Sequence, residues 1–341
     1  MLEIDGSYGE GGGQILRTAV ALSVLTKKPV AIKNIRANRP NPGIKPQHYI
    51  AIQSVKELCN ADVEGLEVGS SNLTFTPDNI KGGKYKFDIV TAGSITLVFQ
   101  ACLLSSLKTQ EPITIRLKGG SDVKWSPSWD YFRYVFLSLI QKMGVNVDAR
   151  LIKRGYYPKG GGEAELTIEP FKDIKPLQLD KKPQFSEIHG VINLANLPDH
   201  VGTRMKHASI KNLIKQGLKA SIKIEKTTSL STGTGITLWA ESKDFILGST
   251  FLGEKGLPAE KIGEDAAQSL LCEIDAGATV DVYAFDQILP YMALARDKGY
   301  SSCIVREVSS HARTNMWLVK QFFDADFNLT QAEHNVEVTI C

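Results

Sequence analysis

Gly13-Gln14-Ile15-Leu16 begins an apolar run that reaches Leu25, and Val30-Ala31-Ile32-Lys33-Asn34-Ile35-Arg36 follows it as a short alternating segment. The first has helical length and the second the two-residue period of a strand. A Pro/Gly loop, Pro40 to Pro46, then leads to a second helix over Gln47 to Leu58, with Ile50, Ile52, Val55 and Leu58 toward one side. Strand-like pieces close the unit at Asp62–Val68, Leu73–Phe75 and Tyr85–Ile89. The order then recurs 81 positions on. Gly93-Ser94 opens an apolar helix to Leu107, Ile113–Leu117 reads as a strand, Trp129–Met143 as an amphipathic helix, and Val145–Ile152 and Glu163–Ile168 as strands. A third copy is legible in the helix Asp286–Arg296, the strand Ser302–Val308, the helix Arg313–Phe323 and the strands Phe327–Leu329 and Val336–Ile340.

The third copy begins about 110 residues later than an even spacing would place it, so a segment of that size is inserted before it. This segment carries its own pattern: a strand at Ile188–Leu194, a helix at Arg204–Gln216, strands at Lys219–Glu225, Ile236–Ser242 and Phe245–Phe251, and a helix at Ala259–Ile274. The expected architecture is an α/β (α+β) chain of three tandem βα repeats with a smaller inserted α/β domain. Repeats one and two occupy 1–180, the insertion 181–276, and repeat three 277–341.

Composition narrows the function classes. The chain of 341 residues is 43% hydrophobic and 23% charged, which excludes a disordered chain. No stretch approaches the ~20 apolar residues of a membrane span, and Met1-Leu2-Glu3-Ile4-Asp5 lacks the basic and apolar regions of a secretory signal. Five scattered cysteines form no CxxC pair, so a reducing, cytoplasmic setting is expected. Forty Lys+Arg against 37 Asp+Glu leave a net charge of +3, too little for a DNA coat but compatible with gripping one nucleic-acid end.

Gly9-Glu10-Gly11-Gly12-Gly13-Gln14 is neither a P-loop nor a dinucleotide fingerprint. Its glycines allow close backbone approach, and the helix behind them offers free N–H groups to an anion. Glu10 is suited to hold a divalent cation beside that anion, and Arg17 lies one turn in. The competing reading is a tight turn with no ligand. Arg36-Ala37-Asn38-Arg39-Pro40 to Lys45-Pro46-Gln47-His48 gathers cations, amides and a histidine in a stiff loop ending at another helix start. The histidines show no metal-ligand spacing, and no G-x-S-x-G elbow supports a serine hydrolase. Cys303 lies in an apolar strand and reads as core, and Lys159-Gly160-Gly161-Gly162 reads as a bulged or flexible hairpin.

Taken in order, Gly9 to Arg17, Ile35-Arg36-Ala37 with Arg39, Pro42-Gly43, Gln47-His48, Thr91-Ala92-Gly93-Ser94, Tyr156-Tyr157-Pro158, Gly160-Gly161-Gly162, Asp286-Gln287 and His311 with Thr314-Asn315 resemble RNA 3′-terminal phosphate cyclases. The resemblance runs nearly end to end. It implies three repeats like the C-terminal domain of a translation initiation factor, interrupted by a thioredoxin-like domain. It also implies a ligase acting on RNA 3′-phosphate ends with ATP and Mg²⁺ or another divalent cation. In that chemistry a histidine, here His311, takes AMP from ATP, the RNA 3′-phosphate takes the AMP, and the neighbouring 2′-hydroxyl closes a 2′,3′-cyclic phosphodiester. Neutral imidazole is a competent nucleophile, whereas its protonated form has no free lone pair.

The resemblance places Gln100, Tyr283, Ala284, Phe285, Asp286 and Gln287 around the nucleotide. Arg17, Arg36 and Arg39 fall on phosphates, with Gln47 and His48 nearby and Glu10 as the metal ligand. Two alternatives remain open: a cyclase-like ribosome-assembly protein without chemistry, and an enolpyruvyl-type transferase on similar repeats. No membrane partner is expected, and a homo-oligomer stays open.

Overall fold

The computed structural model describes all 341 residues, Met1–Cys341, and is of mixed α/β type with four four-stranded sheets. The first sheet is built by β1 (Leu2–Asp5), α1 (Gly13–Thr26), β2 (Val30–Lys33), α2 (Pro46–Cys59), β3 (Asp62–Glu64) and β4 (Leu73–Thr76). β1 and β2 pair in parallel across α1, while β2–β4 and β3–β4 are antiparallel, giving the order β1-β2-β4-β3. Along β2 the side chains of Val30 and Ile32 are fully buried and Lys33 is exposed, the alternation that a sheet with one covered face imposes.

The second sheet is built by β5 (Gly83–Asp88), α3 (Ile95–Ser105), β6 (Ile113–Gly119), α4 (Trp129–Tyr131), a π-turn at Phe132–Phe136, α5 (Leu137–Lys142), β7 (Val147–Lys153) and β8 (Gly162–Ile168). Its order, β5-β6-β8-β7, repeats the connectivity of the first, again with one parallel and two antiparallel pairings. Tyr85–Ile89, which the sequence pattern groups with the preceding unit, is therefore the parallel partner of β6. The apolar helices mark the units in the sequence, whereas β5, with Lys84 and Lys86 on its exposed side, carries no boundary signal.

The two-residue β9 (Gln178–Leu179) is followed by β10 (Glu187–Ala195), α6 (Asp199–Lys215), β11 (Lys219–Thr227), β12 (Gly233–Glu241), β13 (Ile246–Leu252) and α7 (Ala259–Asp275). β10 to β13 form a sheet ordered β11-β10-β12-β13, and seventeen residues between Ile188 and Ala278 make a core separate from the main one. The chain ends with α8 (Val282–Leu294), β14 (Ser301–Val305), α9 (Ser310–Phe322), β15 (Phe327–Gln331) and β16 (Val336–Ile340). β9 pairs in parallel with β14, so the last sheet, β9-β14-β16-β15, has the connectivity of the first two. Its edge strand is laid down before the chain enters β10.

The main core joins the helices of all three of these sheets. α1 is apolar nearly all round, with Ile15, Leu16, Ala19, Val20, Leu22, Val24 and Leu25 buried, because α2, α3 and α9 surround it. Burying each large aliphatic side chain contributes about 1.5–3 kcal/mol, so the start of α1 is held in place from behind. No helix is long and apolar enough to cross a membrane.

The small sheet meets the second sheet through a buried charge network. Arg154 reaches Asp122 at 3.2 Å, Asp130 at 2.8 Å and Glu225 of β11 at 3.1 Å, and the first three side chains are no more than 4% exposed. Burial and the charge of Asp122 push the Asp130 carboxyl up, while Arg154 pulls it down. Removing the cation would strand two buried carboxylates. We expect Arg154→Leu to lower stability in urea unfolding by about 3–5 kcal/mol. Adding Asp122→Asn and Asp130→Asn should recover part of that loss. A single variant within ~0.5 kcal/mol of the parent would contradict the network's role.

Candidate active site

The turn before α1 folds tightly because three glycines have no side chain to place. Gly9 and Gly11 both take φ +57, and a Cβ on Gly9 would lie 2.6 Å from the Thr314 Oγ1 of α9. A Cβ on Gly13 would overlap the imidazole of His48 at the start of α2. The starts of α1 and α9 thus meet. Tyr8 stacks on Trp317 of α9 with ring centroids 3.9 Å apart, and Gln14 Nε2 donates to the carbonyl of His311 at 3.1 Å. The N-cap of α1 is Gly12, which supplies no capping side chain, so the first amides of α1 stay open to an anion. In α9, by contrast, Ser309 Oγ accepts from the Ala312 amide.

His311, the second residue of α9, has a half-exposed side chain. Its Nε2 is 3.2 Å from Glu10 Oε2, and its Nδ1 is 3.7 Å from Asp286 Oδ2. Glu10 also accepts from Arg39 Nη2 at 3.1 Å and from Ser310 Oγ. The Ser310 bond, with help from His311 and Arg39, holds the Glu10 carboxyl below its ordinary range despite some burial. Asp286 behaves oppositely. Burial and the charge of Asp281 push it up to about 8, against the pull of Arg17. Two carboxyls shifted in opposite directions therefore flank the two nitrogens of His311.

Arg17, Arg36 and Arg39 crowd the same place. Burial and Arg36 hold the Arg17 guanidinium down at about 10, still charged at neutral pH, and burial with Arg39 lowers Arg36. The Nε atoms of Arg36 and Arg39 are buried without a hydrogen-bond partner, although Arg39 meets Glu10 through Nη2. Arg36 sits at φ +58, a strained backbone for a residue with a side chain. Orphaned donors and mutually repelling cations are the signature of a site shaped for an anion.

His48 differs in charge from its neighbours. It is buried, its Nδ1 accepts from the Lys45 amide at 3.2 Å, and burial with Arg17, Arg36 and Lys45 drives its pKa down to about 3. It lines the start of α1 as a neutral ring. Gln47 accepts from the Ser94 amide at 3.4 Å, linking α2 to the start of α3.

The remaining sequence candidates converge from α3 and α8. Gln100 Nε2 donates to Gln287 Oε1 at 2.5 Å, and Gln287 Nε2 to the Tyr283 carbonyl at 2.6 Å. Tyr283 is exposed, but Ala284 and Phe285 face the core, so any ligand contact they make passes through the backbone. Three residues not singled out as candidates also build the site: Ser310 on Glu10, Gln14 on His311, and Asn315. Asn315 Nδ2 donates to the Asp286 carbonyl at 2.6 Å, while its buried Oδ1 has no partner. Position as the first residue of a capped helix was the available signal for Ser310. Gln14 belongs to the glycine motif, but nothing local marks its bond to His311, 297 residues away.

No group of three or more His, Cys, Asp or Glu side chains is placed to enclose a metal ion. Glu10, in the turn before α1, carries the carboxylate that meets Ser310, Arg39 and His311. Such a donor set suits a divalent cation held jointly with substrate phosphate oxygens. Cys303 is buried in β14 with its thiol pushed up by burial, as its core reading requires.

Residues 8–329 match the family described as RNA 3′-terminal phosphate cyclase. Three proteins with that description are similar over nearly their whole length. One from Methanosarcina acetivorans is 44% identical, covering 100% of this chain and 100% of its own. One from Pyrococcus furiosus is 45% identical, covering 96% and 95%. One from Archaeoglobus fulgidus is 44% identical, covering 94% and 95%.

The buried His48 gives the fold a defined acid limb. Its pKa is depressed on folding, so the stability it contributes is complete above about 6.5 and is lost as pH falls toward 3, by a few kcal/mol at most. We expect His48→Gln to be less stable at pH 7 but to lose less between pH 7 and pH 4 in urea titrations. Equal losses in both proteins would contradict a neutral, buried His48.

Proposed function

Because the chain belongs to the RNA 3′-terminal phosphate cyclase family, we propose that it converts RNA 3′-phosphate ends to 2′,3′-cyclic phosphodiesters with ATP, through a histidine–AMP intermediate on His311. The observation that carries this reading is His311 itself, half-exposed between Glu10 and Asp286 and beside the open end of α1 and three arginines.

In the first step Nε2 of His311 attacks the α-phosphorus of ATP, a P–N bond forms, and the bond to the β-phosphate breaks to release pyrophosphate. Attack by Nε2 requires the ring proton on Nδ1, and the Asp286 carboxyl is the group facing that nitrogen. The two must close from 3.7 Å to hydrogen-bond distance. Arg17, Arg36, Arg39 and the α1 amides neutralise phosphate oxygens, the main protein contribution to such transfers. In the second step an oxygen of the RNA 3′-phosphate attacks the same phosphorus and the P–N bond breaks, leaving RNA(3′)pp(5′)A. In the third the 2′-hydroxyl attacks the 3′-phosphorus, loses its proton, and expels AMP.

Glu10 would hold a divalent cation together with ATP phosphate oxygens, and such an ion would supply further charge neutralisation. Gln47 and His48 line the phosphate side as uncharged groups. Gln100, Tyr283, Gln287 and the backbone at Ala284 and Phe285 form the nucleoside side. A ribosome-assembly role without chemistry would need neither His311 nor its flanking carboxyls, and an enolpyruvyl transferase would need no adenylylated histidine.

We also read the chain as three tandem repeats, each like the C-terminal domain of a translation initiation factor, with a thioredoxin-like domain spanning 181–276 between 1–180 and 277–341. The shared order of three sheets and the separate core of residues 188–278 support this. On this reading β9, which pairs in parallel with β14, is the first strand of the third repeat and precedes the guest.

An oligoribonucleotide carrying a labelled 3′-phosphate tests the activity. With ATP and Mg²⁺ the label should become resistant to phosphatase, and Glu10→Ala should require about tenfold or more additional Mg²⁺ for half-maximal rate. Label that stays phosphatase-sensitive would overturn the activity, and an unchanged Mg²⁺ requirement would overturn the role of Glu10.

A further inference from the structure

Four large apolar side chains stand in solvent beside the candidate site. Trp125 is 96% exposed, Val90 83%, Tyr157 77% and Leu230 55%. They come from four loops: after β5, after β6, between β7 and β8, and between β11 and β12. Val90 and Trp125 also take φ +64 and +61, conformations that bulky residues rarely hold without a reason.

The loops form one rim. A Cβ on Gly160 would lie 2.8 Å from the Thr91 carbonyl, and one on Gly120 2.5 Å from that of Ala92. A Cβ on Gly161 would overlap the Leu230 side chain, and the Lys159 amide donates to Ser231 Oγ at 3.1 Å. The Arg154 network lies beneath the rim, with Asp122 bridging Tyr156. The rim is continuous with the site, because Gly93 abuts Gln47 and the Ser94 amide donates to Gln47 Oε1. Lys159 is exposed there and makes no ion pair, while Lys124 meets Glu254 at 2.7 Å.

We infer that this rim is the seat of the single-stranded RNA immediately upstream of the reacting nucleotide, its bases stacking on Trp125 and Tyr157 and its backbone passing Lys159. This rests on the cyclase reading of the site. Aromatic faces flanked by cations, held on a rigid base, suit unpaired bases of any sequence, because every base presents a π-face. The inserted segment takes part through Leu230 and Ser231.

The test compares Trp125→Ala, Tyr157→Ala and Lys159→Ala with the parent on a 3′-phosphorylated ten-nucleotide RNA and on a nucleoside 3′-phosphate. The two aromatic variants should each raise KM and the anisotropy Kd for the ten-mer about tenfold. Lys159→Ala should steepen neither kcat loss nor base preference but flatten the salt dependence of binding. Self-adenylylation by ATP, and KM for the mononucleotide, should stay unchanged, and Trp125→Phe should restore most of the affinity. Unchanged affinity of the aromatic variants for the ten-mer, or an equal loss on the mononucleotide, would overturn the inference. Anisotropy needs no turnover, so a parent protein that binds the ten-mer through Trp125 without cyclising it would fail the cyclase reading alone.

Discussion

Arg17, Arg36 and Arg39 repel one another beside the open end of α1, and the candidate site depends on that repulsion being tolerated. Glu10 answers Arg39 directly, and Asp286 acts on Arg17 from a carboxyl that burial pushes up. Buried Nε groups on Arg36 and Arg39 remain without partners. A cluster of this kind persists only where the surrounding structure fixes it, and where a bound anion relieves it in the working state. The phosphates of ATP and of an RNA 3′ end are anions of that class.

The fixing comes from the core outward. α1 is packed between α2, α3 and α9, which pins the Gly9–Gly13 turn, and that turn has room for Thr314 and His48 only because Gly9 and Gly13 carry no side chain. His48, kept neutral by burial and three nearby cations, fills the space beside α1 without adding to the positive charge. His311 then stands at the junction of α1 and α9, with one carboxyl on each side of its ring. Strain at Arg36 and repulsion among the guanidiniums are offset by the burial energy of helices that belong to three different sheets.

Much of this was legible in the sequence. The helices starting near Gly13 and Ser94, and the strand and helix series from β10 to α7, follow their apolar patterns, with α6 starting five residues earlier, at Asp199 rather than Arg204, because amphipathic periods report burial directly. β9 is not legible, since two residues carry no period, and the sequence pattern groups β5 with the wrong neighbour because parallel pairing is a long-range property. At the site, Glu10, the arginines and His311 were marked by residue type within glycine- and proline-bound turns. Ala284 and Phe285 show the limit of a contiguous motif on a helix. Successive residues point about 100° apart, so Tyr283 faces solvent while its two neighbours face the core. The bonds from Gln14 to His311 and from Ser310 to Glu10 join chain positions about 300 apart, which no local pattern encodes.

The proposed chemistry stands on His311 as the nucleophile that accepts AMP from ATP. Incubating the protein with ATP and Mg²⁺ and measuring intact mass, followed by peptide mapping, tests it directly. The expected result is an acid-labile addition of one adenylate per chain, located on His311 and absent from His311→Ala. No adduct, or an adduct that persists in His311→Ala, would contradict it.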